Sequence, residues 1–242
     1  MKFYPCRHAI ACQQGQFLLL ILFCVFCSTF YILINRWRAD YYFAKGEKFY
    51  KTSYVLPALT NLEKAVLLNP KEALYHAYLA KTSAKLAAVY SQTEASESAK
   101  ISSQLADLAE SEINRALTLN SAHLNFYKNR AEIYIFLSVL DPSLKQKAVD
   151  TLVYASKLAP TDAKILYNLS LLYEQEEEIE KAIKTLEKGI DLKPNYTKAY
   201  IQLAKFYQEN NQLEKAKEKL QFILKNIDPD SKQALQVLEK LN

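Results

Sequence analysis

The chain has 242 residues, half of them apolar, with only 3 Gly and 7 Pro. Such a makeup favours helix over sheet and suits an elongated repeat array as well as a globular domain. The net charge is +5, but Lys and Glu alternate through the C-terminal half as they do on solvated helices, which argues against a nucleic-acid binder.

Residues 1–16 form a short N-terminal tail. The next stretch, FLLLILFCVFCSTFYILI from Phe17 to Ile34, carries no Asp, Glu, Lys or Arg, and none occurs between Arg7 and Arg36. Eighteen helical residues span roughly 27 Å, close to the hydrocarbon thickness of a bilayer, so residues 17–35 read as one transmembrane helix. Tyr31, Trp37 and Tyr41 suit an interface. A cleaved signal sequence is disfavoured, because bulky Phe, Tyr, Ile and Leu fill the place where small residues would be cut. Lys2 and Arg7 precede the span, while Arg36, Arg38, Lys45, Lys48 and Lys51 follow it. That bias predicts a soluble part on the cytoplasmic side, with the basic run beside anionic headgroups. All four cysteines, Cys6, Cys12, Cys24 and Cys27, lie in the first 27 residues, so no disulfide staples the rest. The CxxC spacing of Cys24 and Cys27 sits in an apolar run and reads as packing.

Beyond residue 39 one pattern recurs five times: a small residue, an apolar one four later, another small or apolar one three later, then Pro, with Ser in its place in the second copy. Its copies are Ala58, Leu62, Ala65, Pro70; Ala109, Ile113, Ala116, Ser121; Ala148, Leu152, Ala155, Pro160; Ala182, Leu186, Gly189, Pro194; and Ala216, Leu220, Ile223, Pro229. Steps of four and three lay a stripe along a helix, and Pro ends it. Another periodic stretch precedes each copy, clearest at Leu166, Leu169, Ser170, Tyr173 and, 34 residues on, Tyr200, Leu203, Ala204, Tyr207. A 34-residue helix-turn-helix unit of this kind resembles the tetratricopeptide repeat, most clearly over 163–229. The predicted fold is therefore all-α: a tetratricopeptide-type solenoid of about five units over 39–229, preceded by one transmembrane helix. Residues 230–242 close it as a capping helix, with Ala234, Leu235, Val237, Leu238 and Leu241 on one face. About 17 extra residues in the second unit and about 5 in the third, at Val139 to Lys145, predict longer helices or loops.

A second resemblance covers residues 17–242. The run Arg38, Ala39, Asp40, Tyr41, Tyr42, Phe43 after a span, followed by LLNPKEALYHAYLA, LAPTDAKILYNLSLLY, DLKPNYTKAYIQLAKFY and FILKNIDPDSKQAL, resembles the C-terminal region of bacterial O-antigen ligase or polymerase-like membrane proteins. There a last transmembrane helix leads into a tetratricopeptide domain. The family's catalytic residues lie upstream, in a loop with no counterpart in this sequence, so none is carried over.

The residues themselves offer no catalytic constellation. Three glycines, Gly15, Gly46 and Gly189, make no phosphate loop, and His8, His76 and His123 have no ligand spacing; neither cofactor nor metal is expected. The acidic run Glu174, Glu176, Glu177, Glu178 and Glu180 reads as a solvated turn. The recurrent Tyr134, Tyr173 and Tyr207 read as interhelical packing rather than carbohydrate contacts. The tetratricopeptide resemblance implies a concave groove lined by the first helix of each unit, taking a protein or peptide partner. Its expected residues are Lys128, Tyr167, Asn168, Leu171, Lys198, Ile201, Gln202 and Lys205. Lys128, Asn168 and Lys198 fall where some relatives clamp a peptide carboxylate, but Glu132 and Gln202 depart from that clamp. Tyr167 and Ile201 suit the groove and interhelical packing equally. The expected function is a membrane-anchored interaction scaffold linked to surface-glycan assembly; the alternative is a non-catalytic appendage of an O-antigen ligase-like enzyme.

Overall fold

The computed structural model describes residues 7–93 and 96–241, with side chains from residue 21 onward except that of Ser96. The expected tail thus lies partly outside the described residues, as does Cys6. Eleven helices and no strand occur among the described residues: α1 (Arg7–Lys51), α2 (Val55–Leu68), α3 (Ala73–Tyr90), α4 (Ser96–Leu119), α5 (Leu124–Leu137), α6 (Leu144–Leu158), α7 (Ala163–Gln175), α8 (Ile179–Leu192), α9 (Thr197–Glu209), α10 (Leu213–Asn226) and α11 (Lys232–Glu239).

The five stripes lie on α2, α4, α6, α8 and α10, the second helices of the units. Ala58, Leu62, Ala65, Ala109, Ile113, Ala116, Ala148, Ala155, Ala182, Leu186, Ala216, Leu220 and Ile223 have no exposed surface, and Leu152 has 2 %. Each fully buried Leu or Ile contributes about 1.5–3 kcal/mol relative to exposure. On the partner helices a small residue recurs at the crossing: Gly46, Ala80, Ala131, Ser170 and Ala204, all buried. The approach is tightest at Gly46, where an added Cβ would stand 2.8 Å from Leu62 Cγ.

Three of the turns inside units share one chemistry. Ser53, Glu177 and Asn211 have φ of 62°, 60° and 57°, the left-handed region. The next amide in each donates back over the helix end: Tyr54 to the Phe49 carbonyl at 2.9 Å, Glu178 to Tyr173 at 2.8 Å, Gln212 to Tyr207 at 2.7 Å. This is the six-to-one closure that caps a helix through a left-handed residue. The second unit spends its extra residues on helix: α3 has 18 residues and α4 has 24, against 13 and 14 for α7 and α8. Buried His76 ties this long pair together, with Nδ1 2.5 Å from the Glu112 carboxylate and Nε2 3.0 Å from the Pro70 carbonyl. Burial pushes its pKa down, but the bonds to Glu112 and Pro70 and the Glu112 charge outweigh burial and hold it above the ordinary value.

Packing follows chain order, each helix against its neighbours, as in a solenoid. Two large buried clusters result, one from α2 to α5 and one from α8 to α11, bridged by a smaller one of α5, α6 and α7. Ala234 of α11 buries into the last cluster, with Val237, Leu238 and Leu241 packed around it, which closes the array.

At the other end, α1 contains both the apolar stretch and the first helix of the first unit. It runs 45 residues without interruption, about 68 Å. From Ile21 to Ile34 every residue is exposed; from Ala39 onward the same helix packs on α2 and α3. Among the described residues it is the one helix long and apolar enough to cross a membrane. Cys24 and Cys27 are free and exposed on it.

Candidate functional site

The first helices α3, α5, α7 and α9 share one face of the array, and a pocket of about 280 Å³ opens between α5 and α7. Lys128, Ala131, Glu132 and Ile135 come from α5, Asn168, Leu171, Leu172 and Gln175 from α7, and Leu152 of α6 underlies them. Spacings of three and four put each set on one helix face. The floor is apolar and the rim carries two amides and two charges.

Both rim charges already have partners. Lys128 Nζ lies 2.9 Å from the Asp162 carboxylate, which also accepts from the Lys164 amide and so caps α7. Burial raises the Asp162 pKa, but the bonds from Lys128 and from the Lys164 and Ile165 backbone amides prevail and hold it below the ordinary range. Glu132 takes Lys81 Nζ at 2.7 Å, and that ammonium lies over the Tyr50 ring, 5.3 Å from its centre, with Lys85 beside it at 5.5 Å. Tyr50, Lys81 and Glu132 thus form a polar bridge across α1, α3 and α5.

Residues 163–196 match one family model described as tetratricopeptide repeat, and residues 185–218 match a second of the same description. This segment carries tetratricopeptide repeats. The fold extends well beyond it. TTC0263, a thermophilic tetratricopeptide protein of Thermus thermophilus, superposes with a TM-score of 0.59 at 19% identity, covering 84% of this chain and 98% of that one. PilF of Pseudomonas aeruginosa superposes at 0.55 and 19% identity, covering 85% and 86%; MamA of Desulfovibrio magneticus RS-1 does so at 0.52 and 18%, covering 84% and 96%. At these identities the likeness is one of fold. No curated protein matches the chain by sequence.

Within this tetratricopeptide array the eight expected groove residues separate. Lys128, Asn168 and Leu171 come together in the pocket. Gln202 lies one unit on, its amide 3.4 Å from the Glu174 carboxylate; burial and then the Glu209 charge raise the Glu174 pKa. Lys198 and Lys205 are exposed on α9, outside the pocket lining. Tyr167 turns aside to pack on Tyr196, ring centres 5.5 Å apart, and Ile201, 3 % exposed, is part of the α8–α11 core. Tyr134 and Tyr207 are buried and Tyr173 half-buried, as interhelical packing requires. Among the described residues no three His, Cys, Asp or Glu side chains gather as a metal site needs.

The sequence reading missed Ala131, Ile135, Leu152, Leu172 and Gln175. A signal was present: Ile135 and Gln175 stand seven residues after Lys128 and Asn168, two turns along the same face. Lys81 was missed because its partner Glu132 is 51 residues away, across the lengthened unit.

Proposed function

We propose that this protein is an interaction scaffold that holds an extended segment of a partner protein along the face of α3, α5, α7 and α9. The partner places one uncharged apolar side chain over Leu152, and its backbone meets the amides of Asn168 and Gln175. The observation that carries this reading is the pocket between α5 and α7, apolar in its floor and with both rim charges already paired. An anionic partner terminus gains little there, because Asp162 occupies Lys128 and Glu132 stands alongside. An apolar anchor with satisfied backbone is how grooves of this kind gain both affinity and register.

The exposed apolar run from Ile21 to Ile34 supports a membrane anchor at residues 17–35, with the solenoid over 39–229 and the cap at 230–242 standing beside the bilayer. Tethering raises the local concentration of a bound partner, so micromolar contacts become effective. The charge bias around the span favours the cytoplasmic face. The link to surface-glycan assembly rests on the sequence resemblance described above, in which this chain would serve beside an O-antigen ligase-like enzyme.

A photo-crosslinking residue at Leu171 in the full chain tests the groove. It should capture a defined partner, and Asn168→Asp or Leu152→Arg should weaken capture about tenfold. Equal capture from Lys188, on the outer helix α8, would sink the reading.

A further inference from the structure

The continuity of α1 fixes which parts of the solenoid lie near the end of the apolar run, and one of them is distant in sequence. Helix α2 runs antiparallel to α1, and the turn from α2 to α3 returns to the level of Arg36. Arg36 and Asp40 of α1 line one pocket of about 260 Å³ with Asn69, Lys71, Glu72 and Tyr75. At 1.5 Å per residue, Arg36 and Asp40 stand about 3 and 9 Å beyond Ile34, the last residue of the exposed apolar run. A headgroup layer is roughly 5–8 Å thick, so this pocket runs from within it at Arg36 to its outer edge at Asp40.

The charges of the pocket are not equally available. Asp40 accepts the Tyr75 hydroxyl, and Glu72 accepts the Leu74 amide at 3.3 Å as the cap of α3. Arg36 and Lys71 are exposed, and neither pairs with a carboxylate among the described residues. Two cations beside occupied carboxylates present donors for phosphate oxygens. Leu67, 80 % exposed in the last turn of α2, stands at the same level and has apolar surface to offer the acyl boundary.

We infer that this pocket binds the phosphate of an anionic phospholipid, held between Arg36 and Lys71. The inference rests on the membrane anchor proposed above. It also changes the assignment of the basic run. Lys48 and Lys51 stand about 21 and 26 Å above Ile34, hence roughly 13–21 Å above the headgroup layer, about one and a half to two and a half screening lengths at physiological salt. Lys71 takes their place through the fold of the first unit.

Trp37 is the single tryptophan, is exposed and adjoins Arg36, so it reports the local lipid. The full chain is placed in phosphatidylcholine vesicles containing phosphatidylglycerol, with bromine on the acyl chains of one lipid or the other. Phosphatidylglycerol should quench Trp37 beyond its share of the bilayer. Lys71→Gln should reduce that excess two- to fivefold, and Lys48→Gln should leave it unchanged. Equal excess in wild type and Lys71→Gln, with normal quenching overall, overturns the lipid site alone. Failure of the wild type to float with vesicles, and absence of quenching by either lipid, instead overturns the anchor. Loss of the excess on adding millimolar inorganic phosphate at constant ionic strength would mean a free-anion site, and would also refute the assignment.

Discussion

The last two complete units, 163–229, and the second unit, 73–119, pair the same kinds of helix at different lengths. In the C-terminal pair every element repeats after 34 residues: the small residue at Ser170 and Ala204, the left-handed residue at Glu177 and Asn211, the proline at Pro194 and, one residue late, Pro229. In the second unit both helices run on, and the extra length is sewn together by Ser102, whose hydroxyl donates to the Ala87 carbonyl at 2.8 Å, while His76 and Glu112 join the pair below the crossing at Ala80. The solenoid needs only the stripe and the small-residue crossing to stack. What lies above the crossing is free to lengthen.

Separate cores should make the two regions separable in energy. Phe206, fully buried in the α8–α11 cluster, should cost about 3–5 kcal/mol on change to Ala. Hydrogen exchange should show protection falling in α8 to α11 while α3 and α4 keep theirs, as nearest-neighbour coupling requires. Equal loss in both would make the array a single cooperative unit. The two buried glycines, Gly46 and Gly189, sharpen the contrast. Gly46→Ala drives a methyl group against fully buried Leu62 and should cost about 1–3 kcal/mol in denaturant unfolding. Gly189→Ala meets Leu166 only at 3.4 Å, and the gain in helix propensity should leave stability within about 1 kcal/mol of wild type, on either side. The smallest effect belongs to the turns. Glu177→Gly should stabilise by about 0.5–1 kcal/mol, read as a rise in Tm, since a side chain is strained at φ 60°. Asn211→Gly should gain less, because asparagine tolerates that region.

The five stripes were legible because a step of four and three with alanine at close approach has few other meanings. The fate of the second unit's extra residues was not: a count of 17 fits a loop as well as helix. A clue lay in the absence of Gly and Pro between Pro70 and Pro142, which leaves that stretch without the strongest helix breakers. The groove was half legible. Lys128, Asn168 and Leu171 follow from helix phase, whereas Ile201 sits on the same helix as Gln202 and faces the other way, 3 % exposed. One position of rotation, about 100°, separates a contact residue from a core residue. The level of Lys71 beside Arg36 was not legible at all, because it depends on the length of α2 and on its antiparallel return.

Between Ile34 and Tyr50 helix α1 contains no proline, and its one glycine is pinned against Leu62. Such a rod has no joint. Whatever angle residues 21–34 take, the first unit takes too, and through it every unit stacked above. A lean of about 20° at the base would carry the Lys51 end sideways by about 9 Å, so the direction in which the groove opens is steered from below, as a mast is by its footing.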